Sequence, residues 1–209
     1  MSWSLYKNLM VIGSEDRAEG RPMHEISSSV RLIDRDFLLR NPDAYTTTLP
    51  ILIQHLQELS GFYPEFNTWL YQKMIPGIVT GERSILLEHR RGTLSGLAIV
   101  KNNEVEQKLC CLRVLPAFQG TGVGLRLFER TFELLNNDRP LLSVAEEQIE
   151  VFRKLFAYYG FELEKKYNGY YRPLKDELSF NGLIEAEPIV CRRGDRIIGS
   201  EFQLKNALR

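Results

Sequence analysis

The spacing of apolar side chains predicts a strand and then two helices in the first part of the chain. Residues 25–33 alternate apolar and small or polar positions, which is the period of a half-buried strand. From residue 49 to residue 59, leucine and isoleucine recur at helical spacing, and Gly61 ends this run. Residues 64–78 predict a second, aromatic-rich helical stretch, which we expect Pro76-Gly77 to interrupt.

The middle of the chain predicts three strands. Residues 83–88 and 93–101 are two apolar runs separated by Arg90-Arg91-Gly92, a combination typical of a β-hairpin. Residues 105–114 follow a polar turn and contain a continuous apolar run around Cys110. That run favours a strand buried on both faces.

Helices and strands alternate in the second half of the chain. Residues 121–136 place leucine and phenylalanine on one helical face, and residues 141–144 form a short apolar strand. A further amphipathic helix follows and ends at Gly160, a residue suited to a helix C-cap. We expect residues 161–167 and 170–174 to pair as a final hairpin.

This order of elements predicts an α+β fold with a mixed, twisted central sheet of about six to seven strands flanked by helices. We expect one domain over residues 25–175. Residues 1–24 mix charge, glycine and proline, which indicates an N-terminal extension. Residues 176–209 are polar and rich in arginine, and we expect a C-terminal extension that is either a short extra hairpin or an unstructured tail.

Composition narrows the class of protein. The 209 residues include 44% apolar and 26% charged side chains, as in ordinary globular domains. Lys+Arg and Asp+Glu both number 27, so no overall basic field indicates nucleic acid as a partner. The longest apolar stretch near the N-terminus, residues 9–12, is too short for a signal peptide, and no run is long enough to span a membrane. We therefore expect a cytoplasmic protein without a membrane partner.

Cysteines and histidines give no metal-binding pattern. Adjacent Cys110 and Cys111 would point to opposite faces of a strand, so we expect reduced, buried thiols there and at Cys191. The histidines lack ligand spacing to each other or to the cysteines, and we predict no metal site. They are His24, His55 and His89.

The segment 113–128 carries the strongest chemical signal. A strand leads into a loop with Gly120, Gly122 and Gly124, and a helix follows at once. Backbone N–H groups and the positive end of the helix dipole would converge there on a phosphate or pyrophosphate. The spacing fits neither G-x-G-x-x-G of dinucleotide-binding folds nor the Gly-Lys-Ser/Thr end of a Walker A loop.

The loop instead reads Gln-x-x-Gly-x-Gly from Gln119 to Gly124 and follows Val114-Leu115-Pro116. In this setting it resembles the acetyl-CoA loop of the GNAT superfamily of N-acetyltransferases, whose element order also matches residues 25–175. The resemblance implies that the backbone of six residues binds the CoA pyrophosphate. They are Gln119, Gly120, Thr121, Gly122, Val123 and Gly124.

The resemblance also assigns roles to the strand before the loop. The pantetheine arm would pair with the backbone of Leu112, Arg113 and Val114 like an added strand. The backbone N–H of Val114 would donate to the oxyanion of the tetrahedral intermediate. Arg126 either adds a charge to the phosphates or is a solvated helix residue.

A second signature, residues 155–161, resembles the superfamily's Leu-Tyr-x-x-x-Gly-Phe segment. In many members the tyrosine protonates the departing thiolate, but Phe156 occupies its position and has no proton to donate. Tyr158 lies about 200° further round the helix and does not substitute for it. Ile149 stands where the family has asparagine. The tyrosines of the final hairpin either pack within it or include the missing donor; they are Tyr167, Tyr170 and Tyr171.

Acetyl transfer to an amine also needs a proton acceptor. Glu106, at the start of the central strand, is the best candidate for the base, although an exposed carboxylate that pairs near Lys108 is the more ordinary interpretation. Glu146 and Glu147 either bind the amine or simply begin the next helix. By resemblance the helical region 49–78 forms one wall of the acceptor pocket, and its aromatic side chains either contact the acceptor or pack in the core.

We therefore expect an N-acetyltransferase that uses acetyl-CoA as cosubstrate, requires no metal and acetylates a primary amine. The acceptor is a small molecule or a macromolecule, and a homodimer is possible. Phe156 leaves open an alternative, a GNAT-fold acyl-CoA-binding module with little or no catalysis. A nucleotide-binding regulatory domain is disfavoured by the loop spacing.

Overall fold

The computed structural model of the chain describes residues 28–184. Its first part contains one strand followed by a series of helical segments, as predicted. In chain order these are β1 (Ser28–Ile33), α1 (Arg35–Arg40), α2 (Ala44–Leu56), a 3-10 turn (Gln57–Gly61), α3 (Phe66–Trp69), a π-helical turn (Leu70–Met74) and α4 (Ile75–Thr80).

The second helical stretch continues through Pro76-Gly77, so the predicted interruption is wrong. A π turn precedes the proline: the Ile75 N–H donates to the Leu70 carbonyl oxygen, one residue further back than in an α-helix. A proline ring clashes with the carbonyl four residues back in a regular α-helix, and the wider turn accommodates it. A Cβ at Gly77 would lie 2.6 Å from Cδ of Arg83, so glycine allows this arginine to cross the helix.

The predicted hairpin and the strand after it complete the first sheet. Its strands run antiparallel in the order β1-β2-β3-β4. The hairpin turn lies at Arg91 and Gly92, whose φ angles of 50° and 78° suit a two-residue turn. The three added strands are β2 (Arg83–Arg90), β3 (Thr93–Asn102) and β4 (Gln107–Val114).

The second half of the chain alternates helices with the strands of a second sheet. In this sheet β7 lies between β5 and β6 and is antiparallel to both. Gly160 caps α6 in the left-handed conformation, as predicted. The elements are α5 (Val123–Leu135), β5 (Leu142–Ala145), α6 (Ile149–Tyr159), β6 (Leu163–Asn168) and β7 (Asp176–Phe180).

The structure confirms a final hairpin, but the prediction that its second strand is residues 170–174 is wrong. Residues 170–174 form the connection, and the strand that pairs with β6 is β7. The run of tyrosines at 170 and 171 has strand-like composition, yet these side chains turn toward a cavity described below. Strand β7 begins one residue after the expected end of the domain, so the second sheet continues past residue 175. The expected extension 1–24 and Cys191 lie outside the described residues.

The two sheets meet at one point, between the parallel strands β4 and β5. The Leu109 N–H donates to the Leu141 carbonyl oxygen (2.9 Å), and the Leu141 N–H donates to the Gln107 carbonyl oxygen (3.0 Å). Among the described residues these are the only ladder bonds between the sheets, so the expected mixed sheet is split into groups of four and three strands. Both strands are edges of their own sheets beyond this junction.

Strand β3 separates two apolar clusters and is buried along residues 95–100. Leu97 and Ile99 face the cluster that contains α1, α2 and the segment from α3 to α4. Ala98 and Val100 face the cluster that contains α5 and α6. Because the side chains of a strand alternate, helices cover both faces of the first sheet and hold β4 in place beside the second sheet.

Candidate active site

A cavity of about 860 Å³ opens between β4 and β5, next to the junction of the two sheets. Its floor includes residues 108–112 of β4 and residues 142–144 of β5. Four aromatic side chains of the predicted acceptor wall line it, so this helical region bounds the cavity while Phe66 also packs in the core. They are Phe62, Tyr63, Phe66 and Trp69.

A β-bulge in β4 separates the paired part of this strand from its open part. Leu109 is opposite Val100 and Cys111 is opposite Ile99, so Cys110 is an extra residue without a partner on β3. Before the bulge, Leu109 directs its N–H to β5. After it, the Leu115 N–H donates to the Ser95 carbonyl oxygen on the side of β3.

Alternation along the strand then fixes the direction of the groups in between. Since Leu115 faces β3, Leu112 and Val114 turn their N–H and C=O groups away from β3, toward the side of β5. No strand among the described residues pairs with them there. Leu112 lines the cavity, and the side chain of Arg113 is paired with Glu58 (2.5 Å). The open edge therefore offers a main-chain ladder to an extended ligand.

The glycine loop lies directly after this open edge. Gly120 and Gly122 have φ angles of 71° and 81°, in the region that favours glycine, and Gly122 is the N-cap of α5. Because glycine has no side chain to cap the helix, the first N–H groups of α5, which point toward the loop, remain available to a ligand. Helix α5 lies close to β4 at Gly124, since a Cβ there would be only 3.4 Å from Cγ2 of Val114. None of residues 119–124 lines the cavity itself.

Arg126 is held by a buried carboxylate. Its Nε donates to Oε1 of Glu88 at 2.8 Å, and the Glu88 side chain is only 1% exposed. Arg126 is thus part of an ion pair with a buried partner and differs from a freely solvated helix residue. A second arginine, Arg90, donates to the carbonyl oxygen of Thr121 within the loop (2.6 Å).

The candidate base and the two acids that were candidates for binding the amine are all ion-paired. Glu106 lines the cavity and accepts from Nζ of Lys101 at 2.7 Å. Glu146 and Glu147 occupy a 3-10 turn before α6 and do not line the cavity. A side-chain hydrogen bond from Arg172 (2.7 Å) lowers the pKa of Glu147 to about 2. Lys175 lies 3.3 Å from Glu146, so both acids are tied to the β6–β7 connection.

Phe156 lines the cavity with its buried ring. The ring stacks on Phe152 at 5.5 Å and on Phe161 at 5.2 Å between centroids. Its role is therefore to shape the apolar wall, since a phenyl group has no exchangeable proton. Tyr158 is 62% exposed on the opposite side of α6 and does not reach the cavity, as predicted.

A cluster of three tyrosines also lines the cavity. Tyr171 contacts Tyr63 edge-to-face at 5.1 Å and Tyr170 at 4.7 Å, and all three line the cavity. Burial raises the pKa of Tyr63 and of Tyr171, with the nearby Glu177 carboxylate as the next cause, so both phenols stay protonated. Tyr167 is outside this group; its hydroxyl accepts from the Ile184 N–H (2.9 Å).

Glu177 is the site residue that sequence reasoning missed. It lies on β7, is 3% exposed, and accepts from the Tyr63 hydroxyl at 3.4 Å. Burial raises the pKa of its carboxyl group to about 7, partly offset by hydrogen bonds from Ser143 and Tyr63. The sequence does place Glu177 next to Leu178 in a short run with alternating apolar residues. This run is β7, and because residues 176–209 were expected to be a C-terminal extension, Glu177 was not considered as a site residue.

The thiols are free where the structure describes them. Cys110 lines the cavity, and Nη1 of Arg83 donates to its Sγ at 3.0 Å. Cys111 is buried, which raises the pKa of its thiol to about 12. Within residues 28–184, no three His, Cys, Asp or Glu side chains converge as a metal site. Over the same range no helix has the length and apolar character needed to cross a membrane.

The fold is similar to that of solved acetyltransferases. A protein from Desulfovibrio desulfuricans assigned to the GNAT family gives a TM-score of 0.54 at 14% identity, over 74% of this chain and 97% of that one. Lower scores relate the chain to the PaiA N-acetyltransferase of Thermoplasma acidophilum, solved with coenzyme A (0.49, 16% identity, 74% and 98% covered). Ard1 of Thermoplasma volcanium follows (0.47, 14% identity, 74% and 96% covered).

No protein-family model and no curated protein matches the sequence. The structural similarity nevertheless confirms the α+β architecture predicted from the loop and the order of elements. The chain has the GNAT fold. At this level of identity the similarity establishes the fold, and the activity has to be argued from the site.

Proposed function

We propose that this protein is an acetyl-CoA-dependent N-acetyltransferase that acetylates a primary amine. The observation that carries the proposal is the open edge of β4, which leads from the cavity to a glycine loop at the N-terminus of α5. One extended ligand with a thioester at one end and a pyrophosphate at the other suits this path. Acetyl-CoA has that construction.

The cofactor contacts in this proposal are main-chain groups. Leu112 and Val114 would pair with the pantetheine amides, and the N–H groups of residues 119–124 would bind the pyrophosphate with the help of the helix dipole. Arg113 lies between them on the same strand, but its main-chain N–H and C=O groups face β3, so it is not part of the proposed ladder. Since Arg126 is engaged by Glu88, the proposal does not require its charge on the phosphates.

The acetyl group would lie near the bulge at Cys110, where β4 and β5 separate. The backbone N–H of Val114, which the family resemblance names as the oxyanion donor, lies further along β4 toward the glycine loop, and in this arrangement it pairs with the pantetheine instead. Glu106 is a candidate base on the cavity wall, although its ion pair with Lys101 occupies its carboxylate. The acceptor amine would enter the cavity past the aromatic side chains of the helical region and past Tyr170 and Tyr171 of the β6–β7 connection.

A second function, acyl-CoA binding with little catalysis, is favoured by one observation. Phe156 is buried among phenyl rings at the position where the family resemblance expects a proton donor. A protein of this kind would use the same loop and the same strand edge but would not release CoA.

Two measurements test these proposals. Thermal unfolding with and without acetyl-CoA reports binding, and thiol release with a panel of primary amines reports transfer. Stabilisation together with thiol release supports the acetyltransferase. Stabilisation without thiol release for any amine supports the binding module, and absence of stabilisation at millimolar acetyl-CoA contradicts both.

A further inference from the structure

A buried carboxyl group stands behind the cavity wall and has no assigned role in acetyl transfer. Glu177 lies on the central strand of the second sheet, opposite Ala145 of β5 and Tyr167 of β6. Its side chain has no cation within ion-pair distance among the described residues. A buried acid without a paired cation is costly to keep charged and is uncommon unless it is used.

Two hydroxyl groups connect this carboxyl group to the cavity. The Tyr63 hydroxyl donates to Oε1 of Glu177 at 3.4 Å, and the side chain of Ser143 also hydrogen-bonds the carboxyl group. Tyr63 and Ser143 both line the cavity, whereas Glu177 does not. A hydroxyl that donates to the carboxylate therefore offers a path for a proton between the cavity and Glu177.

We propose that Glu177 accepts the proton of the acceptor ammonium through the Tyr63 hydroxyl, an inference that rests on the proposed acetyl transfer. The ammonium gives a proton to the Tyr63 oxygen while Tyr63 passes its own proton to Glu177. The result is a neutral amine, an unchanged tyrosine and a carboxylic acid. Tyr63 is the group that touches the substrate, and Glu177 acts through it.

Acetyl transfer from the neutral amine then needs no further reagent. The amine nitrogen forms a bond to the thioester carbonyl carbon, and the carbon–sulfur bond then breaks. The second nitrogen proton passes to the departing sulfur, which leaves as CoA thiol. Glu177 returns its proton to solvent, so one ammonium and one acetyl-CoA yield an amide, CoA and one proton.

The groups around Glu177 are suited to this exchange near neutral pH. Ser143 and Tyr63 donate to it, Tyr171 contributes a neutral phenol, and the cations Lys108 and Arg172 act on it from a distance. Burial outweighs them and raises the pKa of the carboxyl group to about 7. A base of this strength is about half ionised near neutral pH, so it can both accept and release a proton there. By contrast, Glu106 is held by Lys101 at 2.7 Å.

The test is the pH dependence of kcat at saturating acetyl-CoA and amine. We expect the wild type to lose activity below a pKa near 7, and Glu177→Gln to lose this inflection and about 100-fold in kcat. Glu177→Asp should restore the inflection at a reduced rate, and Tyr63→Phe should lower kcat to a similar extent. Glu164→Gln, on the exposed face of β6, is the matched control and should behave as wild type.

Binding of acetyl-CoA separates this inference from the proposed function. Every variant should keep the thermal stabilisation by acetyl-CoA, since neither side chain lies at the loop. Wild-type kcat and inflection in Glu177→Gln, undiminished kcat in Tyr63→Phe, or loss of the inflection only in Glu106→Gln would each overturn the role of Glu177 alone. A wild type that acetylates no amine overturns the acetyltransferase proposal and this inference with it.

Discussion

The backbone N–H of Leu109 donates to the carbonyl oxygen of Leu141 at 2.9 Å, and at this pair the two sheets of the protein join. One residue later the bulge at Cys110 shifts the alternation of β4, so that Leu112 and Val114 direct their main-chain groups away from β3. No strand among the described residues pairs with these groups. The proposed cofactor site follows from this local change in register.

Gly122→Val should prevent acetyl-CoA binding in a protein that still folds. The residue has a φ of 81°, where a side chain costs roughly 1–2 kcal/mol, and a branched side chain would cover the N–H groups of the loop. We expect the affinity for acetyl-CoA to fall at least tenfold, measured by thermal shift or calorimetry. Gly160→Val, with a φ of 67° at the end of α6, has a comparable backbone cost and should leave the affinity unchanged. Equal affinities in the two variants would contradict the placement of the pyrophosphate.

Arg126→Met should destabilise the fold by leaving a buried carboxylate without its cation. Removing one partner of a buried ion pair costs about 3–5 kcal/mol, whereas removing both charges costs less. We therefore expect Glu88→Gln combined with Arg126→Met to be more stable than Arg126→Met alone, as measured by urea unfolding. Strictly additive effects would show that the 2.8 Å contact contributes no coupling.

Glu177→Gln should stabilise the protein at high pH and not at low pH. Folding raises the pKa of this carboxyl group from 4.5 to about 7, so the protonated form is favoured in the folded state. Its contribution to stability is fully present below pH 4.5, declines as pH rises and is lost above about 7, a difference of roughly 3 kcal/mol. The melting temperature of the variant should exceed that of the wild type at pH 8 and approach it at pH 4.5. A constant difference across this range would contradict the raised pKa.

Phe156→Tyr should increase the rate of acetyl transfer. Phe156 lines the cavity, and a hydroxyl there supplies the proton donor that the phenyl ring lacks. We expect a several-fold rise in kcat with an unchanged affinity for acetyl-CoA. Phe152→Tyr adds a hydroxyl to the neighbouring ring, 5.5 Å away between centroids, and is the control. An equal effect of both substitutions would argue against a specific donor position.

Features that depend on local sequence could be predicted. The apolar face of α5, the cap at Gly160 and the hairpin turn at Arg91-Gly92 are encoded by residues within one element. The glycine spacing at the start of α5 likewise identified the loop, because few main-chain conformations need glycine at alternate positions.

Features that depend on long-range pairing could not be predicted. Nothing between residues 170 and 180 indicates that β7 enters the sheet between β5 and β6, and tyrosines 170 and 171 have the composition of a strand. Since β7 was missed, Glu177 was missed as well. The bulge at Cys110 also depends on the partner strand, because an extra residue is defined only by what lies opposite to it.

The open edge of β4 has a consequence for how far such a sequence can diverge. A cofactor that is bound through peptide groups makes few demands on the side chains that project from the strand. Residues along the edge can therefore be replaced freely, provided that the bulge and the glycines keep the backbone path. If the proposed acetyl-CoA site is correct, the aromatic wall can therefore change to suit another acceptor while the main-chain contacts to the cofactor stay the same.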